Sequence, residues 1–194
     1  EGGALSVWAV SELQRVRELR EGTLLAEGAE GGGRATVLMH PNTYLNKVLI
    51  GATDGRVLLL NVNTGKHIYV FHPNNMLNPS GSAVTCLEQS PALDVVGIGH
   101  ADGRIVLHNL RVDRSVLTLS HEEGDACSSL AFRTDGVSVL VSAGGTSGAL
   151  HVWHLEKRTR LTSIPDAHHN GVLSTYFVRG QPLLIPRLPR RRLW

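Results

Sequence analysis

The stretch GATDGRVLLLNV at residues 51–62 recurs in this chain. It returns as GHADGRIVLHNL at 99–110 and as GGTSGALHVWHL at 144–155, and a shortened copy, GALSVWAV, stands at 3–10. The glycines that align the copies are Gly3, Gly55, Gly103 and Gly148, so the offsets are 52, 48 and 45 residues. Self-similarity at a spacing of this size means one supersecondary unit laid down repeatedly, and it restricts the fold to repeat architectures.

Two residues after each glycine stand Leu5, Val57, Ile105 and Leu150; four after stand Val7, Leu59, Leu107 and Val152. Apolar columns two apart have the period of a β-strand. The columns between them are mixed, so each copy is expected to bury one face always and the other variably. Thr53-Asp54-Gly55 and Ala101-Asp102-Gly103 precede the strands. Aspartate bonds its own backbone in such turns and glycine accepts a positive φ. A second apolar run lies before each turn: KVLIGA at 47–52, DVVGIG at 94–99 and VSVLVSA at 137–143. Strand, tight turn, strand predicts a hairpin.

The same pattern extends on both sides of each hairpin. Residues 35–71, 83–119 and 127–164 each predict a blade of four short strands, separated by polar loops at 72–82 and 120–126. Residues 1–20 read as the end of a preceding blade. Within them SELQRVRELR fits either a short helix capped by Ser11 or an outer strand, and the repeat register favours the strand. Residues 21–34, with Gly31-Gly32-Gly33, read as a flexible loop. Residues 165–185 read as the start of a further blade, and 186–194 as an atypical basic tail. The fold expected is all-β: a partial β-propeller of four-stranded antiparallel blades, three of them full, with GATDGRVLLLNV in the inner half of its blade.

Charge and cysteine content narrow the function. The formal net charge is +2, but Arg187, Arg190, Arg191 and Arg192 stand in the last nine residues without an acid, which leaves residues 1–185 at −2. The repeated body is therefore not a basic nucleic-acid surface. No apolar run approaches the ~18 residues of a membrane helix. Cys86 and Cys127 sit in apolar strand contexts and read as reduced, buried thiols, which favours an intracellular protein. The chain opens on Glu1 without a leader-like segment, which reads as a fragment boundary.

Four-stranded units of this spacing, with a DG turn and a degenerate pair after the third strand, resemble WD-repeat β-propeller blades. The pair is Leu60-Asn61, His108-Asn109, Trp153-His154 and Trp8-Ala9, with no Trp-Asp in any copy. HPNTYLNKVLIG at 40–51, NVNTGKHIYVF at 61–71, SPALDVVGIGHADGRIVLHNL at 90–110 and AFRTDG at 131–136 carry a narrower resemblance over about residues 35–184. They are similar to the N-terminal propeller of the WD-repeat subunit of the nucleolar small-subunit processome. The resemblance implies a non-catalytic scaffold in small-subunit ribosome biogenesis and pre-rRNA processing. It implies a nuclear and nucleolar location, with processome proteins as partners and, through them, the nucleolar small RNA particle and pre-rRNA. A generic WD-repeat adaptor, such as a ubiquitin-ligase substrate receptor or a trafficking component, is the other reading. The chain departs from the family pattern at IPRLPRRRLW, which has two prolines and four arginines in place of a turn and a strand ending in tryptophan.

No catalytic, cofactor-binding or metal-binding residue is expected, and neither a membrane nor a small-molecule substrate. His151 and His154 are three apart on a strand and point to opposite faces. There is no Cys-x-x-Cys or His-x-x-x-His spacing. Gly144 to Gly148 lacks the lysine of a phosphate loop and leads into a strand. No serine stands in a Gly-x-Ser-x-Gly elbow. The residues singled out are structural marks of turn and blade: Asp54, Gly55, Asn61, Asp102, Gly103, Asn109, Gly148 and Trp153. Partner contacts are expected on the loops at 21–34 and 72–82.

Overall fold

The computed structural model describes residues 4–20, 25, 33–121 and 124–187. Sixteen strands and no helix are present among them. Strands β1 (Ala4–Ala9) and β2 (Gln14–Arg20) form a two-stranded sheet. β3 (Ala35–Met39), β4 (Lys47–Ala52), β5 (Val57–Asn61) and β6 (His67–Phe71) form the first four-stranded sheet. β7 (Val84–Gln89), β8 (Val95–His100), β9 (Arg104–Asn109) and β10 (Arg114–Ser120) form the second. β11 (Cys127–Phe132), β12 (Val139–Gly144), β13 (Leu150–His154) and β14 (Thr159–Ile164) form the third. β15 (Ser174–Phe177) and β16 (Leu184–Arg187) pair at the end. Every sheet is an antiparallel meander with strands in sequence order. The all-β propeller-type fold expected from the repeats is thus present.

Sheets pack on one another through their first strands: β3 on β7, β7 on β11, β11 on β15. These are the innermost strands of the blades. GATDGRVLLLNV therefore spans the end of β4, the turn and β5, the two middle strands, and not the inner half of a blade. The core lies between blades and not within any one sheet. Leu49, Leu59, Phe71, Leu87 and Ile98 join the first two blades; Ile105, Leu130, Phe132, Leu140 and Trp153 join the next two. A sheet sandwiched on both sides buries both faces of its middle strands. That is why β5 reads as LLL and β9 as IVL, buried throughout, where the mixed columns predicted one variable face.

Such packing needs close approach of the backbones. Gly51 of β4 faces Val84 and Val37, and Gly99 of β8 faces Cys86 and Cys127 of the inner strands; a Cβ at either would overlap those side chains. SELQRVRELR is an outer strand from Gln14 onward, paired with β1, and the turn before it holds Leu13 at φ 52°. The segment 21–34 lies outside the described residues except for Leu25, Gly33 and Arg34. Pro186 and Arg187 belong to β16, opposite Thr175 and Ser174. Proline is tolerated there because β16 has a single neighbouring strand among the described residues.

Candidate functional site

One face of the molecule carries the DG-type hairpins, each tied to the segment that enters its own blade and two of them tied again to the next. The first tie runs to the segment that enters its own blade. Thr53 N–H donates to Arg34 O at 2.9 Å, Asp102 N–H to Ser82 Oγ at 3.1 Å, and Gly145 N–H to Ala126 O at 2.9 Å. The second tie runs to the segment approaching the next blade: His121 N–H to Gly103 O at 2.9 Å and His168 N–H to Gly148 O at 3.2 Å. At Gly55 packing takes the place of the second bond: Asn78, which is fully buried, lies against the glycine. Its side chain donates to Ser82 O at 2.9 Å, accepts from Ser82 N–H at 3.0 Å and meets His100 Nδ1 at 3.3 Å.

The turn residues act through their side chains. Asp54 Oδ1 accepts from Arg56 N–H and Asp102 Oδ1 from Arg104 N–H, each at 3.1 Å, and each carboxylate pairs with the arginine it precedes. Gly55, Gly103 and Gly148 all hold φ between 68° and 83°. Asn61 and Asn109 stand at the opposite end of the blades. Asn61 Oδ1 accepts from Asn63 and Thr64 N–H, and Asn109 Oδ1 from Arg111 and Val112 N–H, closing the turn to the outer strand. The fold thus spreads the eight marked residues over both faces and gathers no reactive centre from them.

Sequence reasoning missed a buried polar chain in the third blade. Trp153 Nε1 donates to Ser142 Oγ at 2.8 Å, and Ser142 Oγ lies 2.7 Å from His121 Nε2. The Asp125 carbonyl can only accept, so His121 Nδ1–H donates to Asp125 O at 3.2 Å and Nε2 of the neutral ring accepts from the Ser142 hydroxyl. Burial, then the neighbouring His151, push the His121 imidazole down to about 4. Asp125 accepts from Ser147 Oγ at 2.6 Å and from Ser147 and Thr146 N–H; against a desolvation that acts upward, these bonds hold its carboxyl below the usual range. His151 lies against His121 with ring centroids 4.6 Å apart and the rings tilted by 48°, and its Nδ1 lies 2.8 Å from Ser163 Oγ. One ligand atom each of His121, Asp125 and His151 lies within 4.8 Å of the other two, but both ring nitrogens of His121 are engaged, so the cluster does not offer a cation site. The signal in the sequence was Ser120-His121 at the entry to the blade.

The opposite face carries two grooves. A groove of about 480 Å³ opens between the second and third blades, floored by Val95, Leu107, Phe132 and Val139. Another of about 430 Å³ lies between the first and second, beside Tyr44, Phe71 and Leu110. Asp113 bridges that seam: Tyr69 Oη and Asn75 Nδ2 donate to Oδ2 at 2.8 Å, and His108 Nε2 lies 2.9 Å from Oδ1. Glu88 on β7, whose carboxyl desolvation pushes up to about 7, makes no ion pair among the described residues.

Meandering four-stranded blades packed through their innermost strands, with hairpins locked on one face, define a WD-repeat-type β-propeller. The chain is similar in fold to a chain in the crystal structure of the mitotic checkpoint complex, with a TM-score of 0.73 at 17% identity over 94% of this chain and 50% of that one. The family model described as the WDR36/Utp21 first beta-propeller matches residues 1–187, and the chain belongs to that family. It is 33% identical over 152 residues to WD repeat-containing protein 36 of Homo sapiens, covering 78% of this chain and 16% of the human protein. It is 34% identical over 187 residues to the U3 small nucleolar RNA-associated protein 21 homolog of Schizosaccharomyces pombe, covering 96% of this chain and 19% of that protein. The chain thus spans less than a fifth of either relative.

Proposed function

We propose that this chain is a non-catalytic scaffold module of small-subunit ribosome biogenesis, acting in pre-rRNA processing in the nucleolus. The observation that carries the reading is family membership together with the fission-yeast relative, whose name associates that protein with U3 small nucleolar RNA. The geometry supports a rigid platform: backbone hydrogen bonds on the hairpin face tie one blade to the next, and the opposite face offers a groove floored by Val95, Leu107, Phe132 and Val139. Its partners are other processome proteins. The small RNA particle and pre-rRNA are reached through them, in keeping with the −2 balance of residues 1–185.

Proximity labelling with the full-length parent tests this. Enrichment of nucleolar processome proteins, with accumulation of unprocessed small-subunit pre-rRNA on depletion, is the expected result. Enrichment of coat or ubiquitin-ligase subunits without processome proteins overturns it in favour of a generic adaptor.

A further inference from the structure

We propose that the groove between the second and third blades seats a segment of a partner protein, one with a bulky apolar side chain flanked by acidic residues. The inference rests on the scaffold reading for there being a partner, and it adds that partner's chemistry.

The two seams of this face are built at equivalent repeat positions and end differently. In the first, Tyr69 faces Leu59 across the β5–β6 pair, and its hydroxyl donates to Asp113 Oδ2 of the next blade at 2.8 Å. Asn75 Nδ2 donates to the same oxygen at 2.8 Å, and Ser115 Oγ donates to Asn75 O at 3.1 Å. The molecule thus bridges that seam with an aromatic ring and a carboxylate of its own. In the second seam Leu117 faces Leu107 and takes the place of Tyr69. Arg158 takes the place of Asp113: each stands ten residues after its hairpin glycine, Gly148 or Gly103, and they hold φ of 55° and 50°. Ring and carboxylate are both replaced, and the groove of about 480 Å³ stays open. That volume lies within the roughly 300–1,000 Å³ of clefts that bury a bound group.

What the seam has lost is what an occupant must bring. Above the apolar floor, Val116 of the second blade and Val137 of the third line the groove while 50% and 45% exposed. Exposed apolar side chains around a formed cleft mark an interaction site. Both walls are complete four-stranded blades, so a further blade adds no wall here. Charge sets the flanks of the occupant. Of the two charged side chains on the lining, Arg133 is ion-paired with Asp135, and Glu156 accepts from Ser138 Oγ at 2.8 Å. The turn that continues from Glu156 carries Lys157 and Arg158, both exposed and without an ion pair among the described residues. Unpaired cations at the mouth of an apolar groove select carboxylates beside an apolar anchor. Glu156 is the opposing charge.

The test uses the full-length parent and a displayed library of random short peptides, with the enriched peptides then titrated. Enrichment of sequences that set an aromatic or large aliphatic residue beside aspartate or glutamate is the expected result. Val116→Asp and Val137→Asp, at exposed positions, are expected to weaken those peptides about 10-fold or more. Ile68→Asp, at the repeat position of Val116 in the first blade, should leave them unchanged. Arg158→Glu is expected to weaken them about 3- to 10-fold, less at high salt, and Glu156→Gln to tighten them. Should an aspartate variant fail to fold, Arg158→Glu and Glu156→Gln decide the matter. Enrichment of basic peptides, of peptides indifferent to all four groove variants, or of none overturns the proposal. A parent oligomer that Val116→Asp dissociates gives the groove to a second copy of the chain, and oligouridylate binding that Val116→Asp abolishes gives it to RNA; either result overturns it. The titrations read the groove and proximity labelling reads the assembly, so one reading can fail while the other stands.

Discussion

The Trp153 indole N–H reaches Ser142 Oγ at 2.8 Å across the β12–β13 pair, and both groups are buried. The same hydroxyl serves His121 Nε2, so one small side chain satisfies two buried polar groups. Removing it strands both. Ser142→Ala is expected to cost about 1–3 kcal/mol for each group left without a partner. A urea unfolding curve measures the loss. A Ser142→Ala chain as stable as the parent contradicts the arrangement.

Gly103 and Gly148 carry the hairpins, at φ 83° and 68°. A Cβ on Gly103 meets Asp125 O at 2.7 Å, and one on Gly148 overlaps the His168 carbonyl. Gly124 has φ 84° but open space around its Cβ position. Alanine at Gly124 therefore carries only the backbone penalty, about 1 kcal/mol. Alanine at Gly103 or Gly148 must also displace the strand entering the next blade. Thermal unfolding of the three variants should rank Gly124→Ala well above the other two. Equal losses would mean that the hairpins are not wedged against the next blade.

The hairpins were legible because their information is local. Asp54 and Gly55 form a turn with residues two away, and Val57 and Leu59 declare their buried face by period alone. What the sequence concealed is built from separated residues. His121, Ser142 and Trp153 come from a loop and two strands, and no spacing between them is diagnostic until the blade is folded. The loop at 72–82 illustrates the limit from the other side. Its asparagines, prolines and serines read as an open partner-binding loop, yet Met76 and Asn78 are fully buried and tie two blades together. Composition reports turn propensity; it does not report what a turn packs against.

The buried imidazoles should lower stability on mild acidification. His100 and His108 are buried, and desolvation holds both imidazoles below their ordinary 6.5 despite Ser82 O beside one and Asp113 beside the other. Between 6.5 and the lower folded-state values the unfolded chain is protonated and the folded chain is not. The unfolded state then binds more protons, so stability drops as pH falls through that window and is flat above it. Asp113 acts lower still: burial works upward on its carboxyl, but bonds from Tyr69, Asn75 and His108 hold it below 3.8. Urea midpoints from roughly pH 7 to pH 5 check the first window, with His100→Gln and His108→Gln expected to reduce the slope. Glu88, whose carboxyl is pushed up to about 7, takes up a proton in the folded chain over the same window and acts in the opposite direction, so unchanged slopes in both histidine variants are what remove the argument.

Cys86 and Cys127 face each other across the seam between β7 and β11, sulfurs 3.7 Å apart. Both thiols are free and buried, and desolvation followed by the Cys86 thiol pushes Cys127 well above the usual thiol range. A buried protonated thiol is a poor nucleophile. Alkylation by iodoacetamide should therefore be blocked in the folded chain and follow global unfolding when denaturant is added. Labelling at the rate of an exposed cysteine under native conditions would show that the seam opens on its own.

Among the described residues the β15–β16 sheet has two strands where the three full blades have four, and Leu173, Tyr176, Leu183 and Ile185 are exposed on or beside it. The outer edge of β16 is unpaired among the described residues. An unpaired edge beside exposed apolar side chains is a template for pairing with another chain. The first sheet adds Trp8 and Val16, also exposed. The isolated 194-residue chain is therefore expected to self-associate as its concentration rises, visible as a growing sedimentation coefficient. A charge on this sheet, Ile185→Lys or Tyr176→Lys, should suppress the association without lowering the unfolding temperature, because neither side chain belongs to a buried core cluster. A monomeric parent chain at every concentration would mean that these faces are not sticky enough to matter.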